Sequence, residues 1–334
     1  MRIKTTVARR KVAAQFIMSS PELALLPGLF RNISVSDLDP QKYQIALRVE
    51  HRHGDKLVRV TGGYLLCGFD LAILQALELV AVGNAGHVDS DATDDVATEL
   101  RSKLAASEPT VDLSYATCSV SHLLQLVGMP VNNTYVTQVG ASLDRLFGVT
   151  LSVAADASKP HINESFHLLS YTNTGEGRTN ALHVALNPLL TAALTGSANQ
   201  DTRMSAAELK ALGTDHAARI LHQRLCAIIN DKGTRKFHAS TLYGYLYPAD
   251  RAAHDLAILR QRTELGDYQA ERRQQAALGD AVEVLGTLGW AIDIEKGAAE
   301  DLVVITRPAA CWTYEALAAK KAELKAARAA ALAA

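Results

Sequence analysis

The chain has 334 residues, 48% of them hydrophobic, enough to bury a sizeable core and long enough for two compact modules. Its 34 Lys plus Arg against 35 Asp plus Glu leave a net charge of −1, which excludes whole-molecule attraction to nucleic acid and leaves that task to locally segregated charge. Cys67, Cys118, Cys226 and Cys311 are far apart with no CxxC, against both a zinc knuckle and a secreted disulfide framework, and no run of about 18 apolar residues offers a membrane span.

Residues 1–26 read as a basic arm: Arg2, Lys4, Arg9, Arg10 and Lys11 precede the first acid, Glu22, and no apolar signal-peptide core follows them. A cytoplasmic setting is expected, and contact of the arm with a phosphate backbone and simple disorder both remain open. From Tyr43 to Val49 alternate residues are apolar, and a turn at Gly54 leads to Leu57–Thr61, predicting an antiparallel hairpin. Asp70 is placed to cap a helix striped by Ile73, Leu74, Leu77, Val80 and Ala81 and ending near Gly83. His87–Lys103 is polar and acidic and reads as a loop or weakly packed helix.

Leu123, Leu124 and Val127 mark a short helix stopped by Gly128 and Pro130; Asn133–Phe147 follows as a longer helix with Val136, Val139, Leu143, Leu146 and Phe147 as its buried stripe. Strands at Val149–Val153 and Phe166–Tyr171 flank a loop with Lys159 and His161. Helix, turn, helix, hairpin is the order of a winged helix, which puts its second long helix into a major groove. A strand at Leu182–Leu186 is followed by an Asn187 cap with Pro188 behind it, and the polar run 196–203 reads as a boundary.

The plan then recurs: a capping box at Ser205 and Glu208, a helix over Asp215–Ile229, a strand at Lys236–His238, and a short helix capped by Ser240. A longer helix striped by Leu278, Val282, Leu285 and Leu288 precedes a second wing pairing Trp290–Ile294 with Leu302–Ile305. The expected fold class is α+β, two tandem winged-helix domains with small antiparallel sheets, over residues 27–196 and 204–310; the Ala/Lys-rich tail 311–334 is expected as a frayed helix.

The block Asp215–Pro248, DHAARILHQRLCAIINDKGTRKFHASTLYGYLYP, resembles the replication initiators of IncQ-type plasmids, the RepC family. PGLFR at 27–31, DLAILQAL at 70–77, LHVALNPLL at 182–190, and LGW with ITRP within 288–308 are similar to family blocks in family order. The resemblance implies a non-enzymatic initiator that binds iteron repeats in double-stranded plasmid origin DNA and promotes local opening. It also implies a separate plasmid helicase and primase as partners, and it admits a homodimer.

Base reading needs polar side chains at base edges, with cations on phosphates. The candidates are Thr134, Thr137, Gln138 and Arg145 on the first long helix, Lys159 and His161 in its wing, and Arg260 and Arg262 ahead of the second long helix. Gln269, Arg272, Arg273 and Gln275 lie on that helix, and Lys296 stands beside Glu295, Glu300 and Asp301 in the second wing. On periodicity alone these are ordinary solvated faces; the resemblance turns them toward DNA. His222 and Cys226 at i, i+4 spacing read as scaffold rather than metal ligands, and Cys118 with His122 lacks an acidic orienter for a thiol nucleophile. Asp89, Asp91, Asp94, Asp95 and Glu99 lack the glycine and terminal glutamate of an EF-hand, and no GxxxxGK[ST] occurs, so no metal, cofactor or ATP hydrolysis is expected. A transcriptional regulator, and an interaction module that binds no DNA, are the alternatives.

Overall fold

The computed structural model describes residues 15–35, 46–54, 56–84, 86–88, 95–104, 113–154, 164–174, 181–196, 202–248, 267–296, 302–309 and parts of 315–326. The elements of the first part are β1 (Phe16–Ser19), α1 (Pro21–Ala24), β2 (Phe30–Arg31), β3 (Leu47–His53), β4 (Lys56–Gly62), β5 (Leu66–Cys67), α2 (Gly68–Asn84) and β6 (Gly86–Val88). Next come α3 (Asp95–Leu104), β7 (Leu113–Cys118), α4 (Val120–Leu126), α5 (Asn133–Phe147), β8 (Val149–Ala154), β9 (Glu164–His167), β10 (Leu169–Thr174), β11 (Ala181–Leu186) and α6 (Pro188–Thr195). The chain continues with β12 (Thr202–Ser205), α7 (Ala206–Leu212), α8 (His216–Ile228), β13 (Thr234–His238), α9 (Ala239–Leu246), α10 (Asp267–Thr287), β14 (Ala291–Glu295) and β15 (Leu302–Thr306). The fold is α+β, helices packed on small sheets that are antiparallel except for the short parallel pair β2–β5.

Alternation builds the first hairpin: Leu47, Val58 and Val60 are buried and Arg48, Glu50 and Arg52 point to water, with Gly54 at φ 58° closing the turn. That hairpin pairs through β4 with β8, and β8 with β9, giving the sheet order β3-β4-β8-β9; a second sheet runs β10-β11-β7-β6. Helix α2 is buried on all sides from Phe69 to Ala81 rather than along one stripe, so it is the core of this half of the chain. Its polar residues are accordingly partnered. Asp70 accepts from Arg145, Ser142 and the Cys67 N–H, Gln75 meets Arg219, and Glu78 receives the Ser19 hydroxyl at 3.0 Å. Asp70 therefore does not precede the helix as a cap; it sits in the first turn and reaches back.

In the second half, α8, β13, α9, α10 and the β14–β15 hairpin succeed one another, with sheet order β13-β15-β14. Residues 217–226 of α8 are all buried because the helix packs on α2, α9 and α10 at once. Strand β1 pairs antiparallel with β12, Phe16 opposite Ser205 and Ser19 opposite Thr202. One buried cluster runs from Ile17 through α2 and α8 to Leu317.

Several expectations change. Residues 1–14 of the expected arm lie outside the described set, but 16–26 are folded, with Ile17, Leu23 and Leu26 buried. Within His87–Lys103, α3 is a packed helix that buries Ala97, Leu100 and Leu104 against Leu113 and Ala185, and Glu99 pairs with Lys103 at 2.6 Å. Ser205 caps α7, yet the Glu208 carboxylate bonds His222 at 2.9 Å. Helix α9 begins at Ala239 behind His238, with Ser240 inside it and no side-chain cap. Lys159, His161, Arg260 and Arg262, and the acids Asp89, Asp91, Asp94, Glu300 and Asp301, lie outside the described residues, as does most of the tail.

Two buried groups make stability fall as pH rises. Burial pushes Glu78 up to about 8, so the fold favours its neutral acid and is weakened as the unfolded carboxyl ionises between 4.5 and about 8. Burial alone would lower His222, but Cys226 and Glu208 outweigh it and hold the imidazolium up to about 9; its stabilisation is full below 6.5 and lost through about 9. The thermal midpoint should fall between pH 7 and 9.5, and His222→Gln should flatten that fall; an unchanged slope in the variant would contradict the pairing. Gly128, at φ 72°, leaves no room for a side chain, since a Cβ would lie 2.0 Å from the Lys210 carbonyl oxygen. Gly128→Ala should cost about 3 kcal/mol or more in denaturant titration, whereas Gly83→Ala, which meets nothing within 4 Å, should cost nothing.

Candidate nucleic-acid interface

Helix α5 is started by Asn132, whose Oδ1 accepts the Tyr135 N–H at 3.0 Å, and its inner face buries Val139, Ser142, Leu143 and Leu146. Thr134 and Thr137 are exposed on the outer face, and Gln138 is half-buried at its margin. Arg145 is a correction. Instead of projecting outward it is 8% exposed, its Nη2 2.7 Å and its Nε 3.1 Å from the two oxygens of the fully buried Asp70. The Ser142 hydroxyl adds a 2.6 Å bond to the same carboxylate. Arg145 follows Ser142 by three residues on the helix, so both reach Asp70, and only a buried acid on another element makes a cation tolerable there.

Helix α10 packs its inner face, Gln274, Ala281 and Leu285, on α8 and α9, with Gln274 bonded to the Tyr243 hydroxyl. Gln269, Arg272, Arg273 and Gln275 are brought together on its outer side, all exposed, near the start of the helix; Asp280 and Glu283 are exposed farther along. In the adjoining hairpin, Lys296 is exposed at the end of β14, and Glu295 is paired with Lys236 across the sheet at 2.6 Å. That pair offsets one of the acids of the wing.

Sequence reasoning missed a second basic group. Lys232, Arg235 and Lys236 are exposed at the turn and strand after α8, a signal visible as three cations within five residues beside Gly233. Arg48, Arg52 and Lys56 are exposed on the β3–β4 hairpin, where charge alternating with apolar residues is the signal. Beside them an open groove of about 710 Å³ is lined by Arg48, Glu50, Arg59, Thr61 and Thr150, with Arg59 and Glu50 paired at 2.9 Å.

Burial pushes the Cys118 thiol, at the end of β7, up to about 12, so it is protonated at neutral pH, and His122 is exposed on α4. The Cys226 sulfur touches the His222 ring at 3.6 Å, and among the described residues no group of three or more His, Cys, Asp or Glu could hold a metal. Also among them, no helix is long and apolar enough to cross a membrane.

The family of replication protein C (RepC) matches residues 11–309. The chain belongs to that family. The match runs from the edge of the basic arm through the β14–β15 hairpin, so both helices that carry the exposed polar rows are RepC-family segments. No curated protein sequence matches the chain. Among solved structures, domains 2 and 3 of RctB, as a selenomethionine derivative, align with a TM-score of 0.49 and 11% identity over 86% of this chain and 98% of that one. A second crystal structure of RctB domains 2–3 aligns with a TM-score of 0.46 and 10% identity over 86% and 97%.

The geometry separates buried from exposed side chains among the RepC-family residues named above. Arg145→Met should destabilise the fold by about 3–5 kcal/mol, the cost of leaving Asp70 buried without its cation. Thr137→Ala, on the exposed face, should stay within about 0.5 kcal/mol of the parent. Urea titrations of the two variants check both, and a silent Arg145→Met would contradict the ion pair.

Proposed function

We propose that this RepC-family chain is a plasmid replication initiator that binds directly repeated iterons in an origin, without catalytic activity of its own. In this reading the modules over residues 27–196 and 204–310 are winged helices, and each repeat is contacted by both, α5 and α10 lying in successive major grooves. The carrying observation is the outward row Gln269, Arg272 and Arg273 at the start of α10, opposite the face packed on α8. Glutamine pairs with adenine and arginine with guanine or phosphate, the two kinds of contact a reader of duplex DNA needs.

The order α8, β13, α9, α10, β14, β15, with β15 lying between β13 and β14, supports the winged-helix reading of the second module. Lys232 and Arg235 would add phosphate contacts, giving local attraction to a chain of net charge −1. Family membership favours an IncQ-type origin in the cytoplasm as the setting, with a separate helicase and primase recruited after binding and the chain acting as monomer or homodimer. Binding energy then does the work. Bending across several repeats costs of order 1–6 kcal/mol per site, a strain that favours melting of adjacent AT-rich DNA.

Fluorescence anisotropy on tandem repeats from the chain's own replicon and on scrambled duplex, over a salt series, tests this. A preference for the repeats of about 10³-fold or more is expected. Arg272→Ala and Arg273→Ala should each lower affinity and reduce the salt slope by about 1 where the side chain holds a phosphate. Equal, steeply salt-dependent binding to both duplexes would contradict sequence recognition. Absence of binding to either would shift the reading to a protein-interaction module.

A further inference from the structure

The outer face of α5 differs from that of α10 in carrying no usable charge. Its exposed side chains are Asn133, Thr134, Val136, Thr137, Ala141 and Asp144. Arg145, the one cation of the helix, is consumed by Asp70, and Asp144 accepts the Tyr171 hydroxyl. Val136 is the unexpected member. Periodicity places it in the buried stripe, yet it is 39% exposed, because Tyr135 covers the core at that turn by stacking on Phe69 with ring centroids 6.1 Å apart. The Asn132 cap and the Val136 N–H bond to the Asn132 carbonyl, 3.0 Å, fix this register, and the β-branched side chain holds one dominant rotamer in a helix. One turn on, a Cβ at Gly140 would meet nothing within 4 Å, so the surface beside Val136 is open to close approach.

This face disfavours some bases and suits others. Arginine and lysine are the usual partners of the guanine O6/N7 edge and a free carboxylate of cytosine N4, and α5 offers neither outward, while Thr134 and Thr137 serve either base pair. A rigid isopropyl group packs on the C5-methyl of thymine, the single apolar feature in the major groove. We propose that Val136 is a specificity-determining residue that contacts a thymine methyl, so that α5 reads an A·T step in the repeat. This rests on the reading above that α5 enters the major groove, and it adds which base pair the helix selects.

Replacing thymine by uracil removes that methyl and leaves base pairing intact, which makes a two-by-two test possible: parent and Val136→Ala, each on thymine and uracil versions of the same repeat. Burying one methylene-sized group is worth about 0.8 kcal/mol, so Val136→Ala should weaken binding to thymine DNA about fourfold and leave binding to uracil DNA unchanged. Equal loss on both DNAs, or no loss on either, overturns the assignment. Single thymine-to-uracil replacements read with the parent protein give an independent arm: at least one position should lose about fourfold, and no sensitive position overturns the proposal. The scrambled duplex separates the two levels. A parent protein with no preference for the repeat removes the initiator reading and this inference together, whereas repeat preference without methyl sensitivity removes this inference alone.

Discussion

The fold depends on where one buried guanidinium finds its acceptors. Arg219 on α8 is fully buried, and it donates to Gln75 of α2 at 2.9 Å and to the carbonyls of Val127, Leu209 and Gly213 at 2.9–3.2 Å. Those acceptors belong to the central helix of the first half, the turn after α4, the middle of α7 and the residue that ends it. Burial pushes Arg219 down to about 9, against Asp215, yet it remains a cation at neutral pH and must be satisfied in place. A charge so placed is costly to leave unpaired, and its acceptors lie on segments that would otherwise be free to shift against one another.

The same device recurs around α8. Arg307 donates to the carbonyls of Cys226, Ile229 and Arg203 and pairs with Asp231 at 3.1 Å, tying the end of β15 to β12 and to the end of α8. Arg224 bonds the Leu26 carbonyl and lies over the Tyr245 ring at 5.6 Å. The consequence for function is that Arg145, Arg219, Arg224 and Arg307 are structural cations. Counting basic residues in the sequence therefore overstates the charge presented to a phosphate backbone, and the outward cations of α10 and of residues 232–236 matter more than the total implies.

Element types were largely legible because strand alternation and helix caps are local signals. Asn187 with Pro188 and the stop at Gly128 act as read, while Asp215, expected as the first helical residue, is instead the N-cap of α8 and accepts the Ala218 N–H. Burial was less legible where partners are distant in sequence. Nothing near Arg145 announces that Asp70 awaits it, nothing near Val136 announces that Tyr135 will take its place against Phe69, and a fully buried α2 resembles an amphipathic helix until the elements around it are known. Thr134, Thr137 and the α10 row are outward, as local periodicity places them. The basic residues at 232–236 were missed because a helix-centred search for base readers passes over a short strand.

The central claim is that the outer faces of α5 and α10 both meet DNA while the buried arginines only hold those faces in place. Cleavage of end-labelled repeats by an iron chelate tethered at Ala141→Cys or at Ala276→Cys, exposed positions beside the two rows, tests it most directly. The account expects cuts from both positions within a single repeat, at two separate sets of nucleotides. Cuts from only one position, or from neither, on a repeat that the protein nonetheless binds, would contradict it.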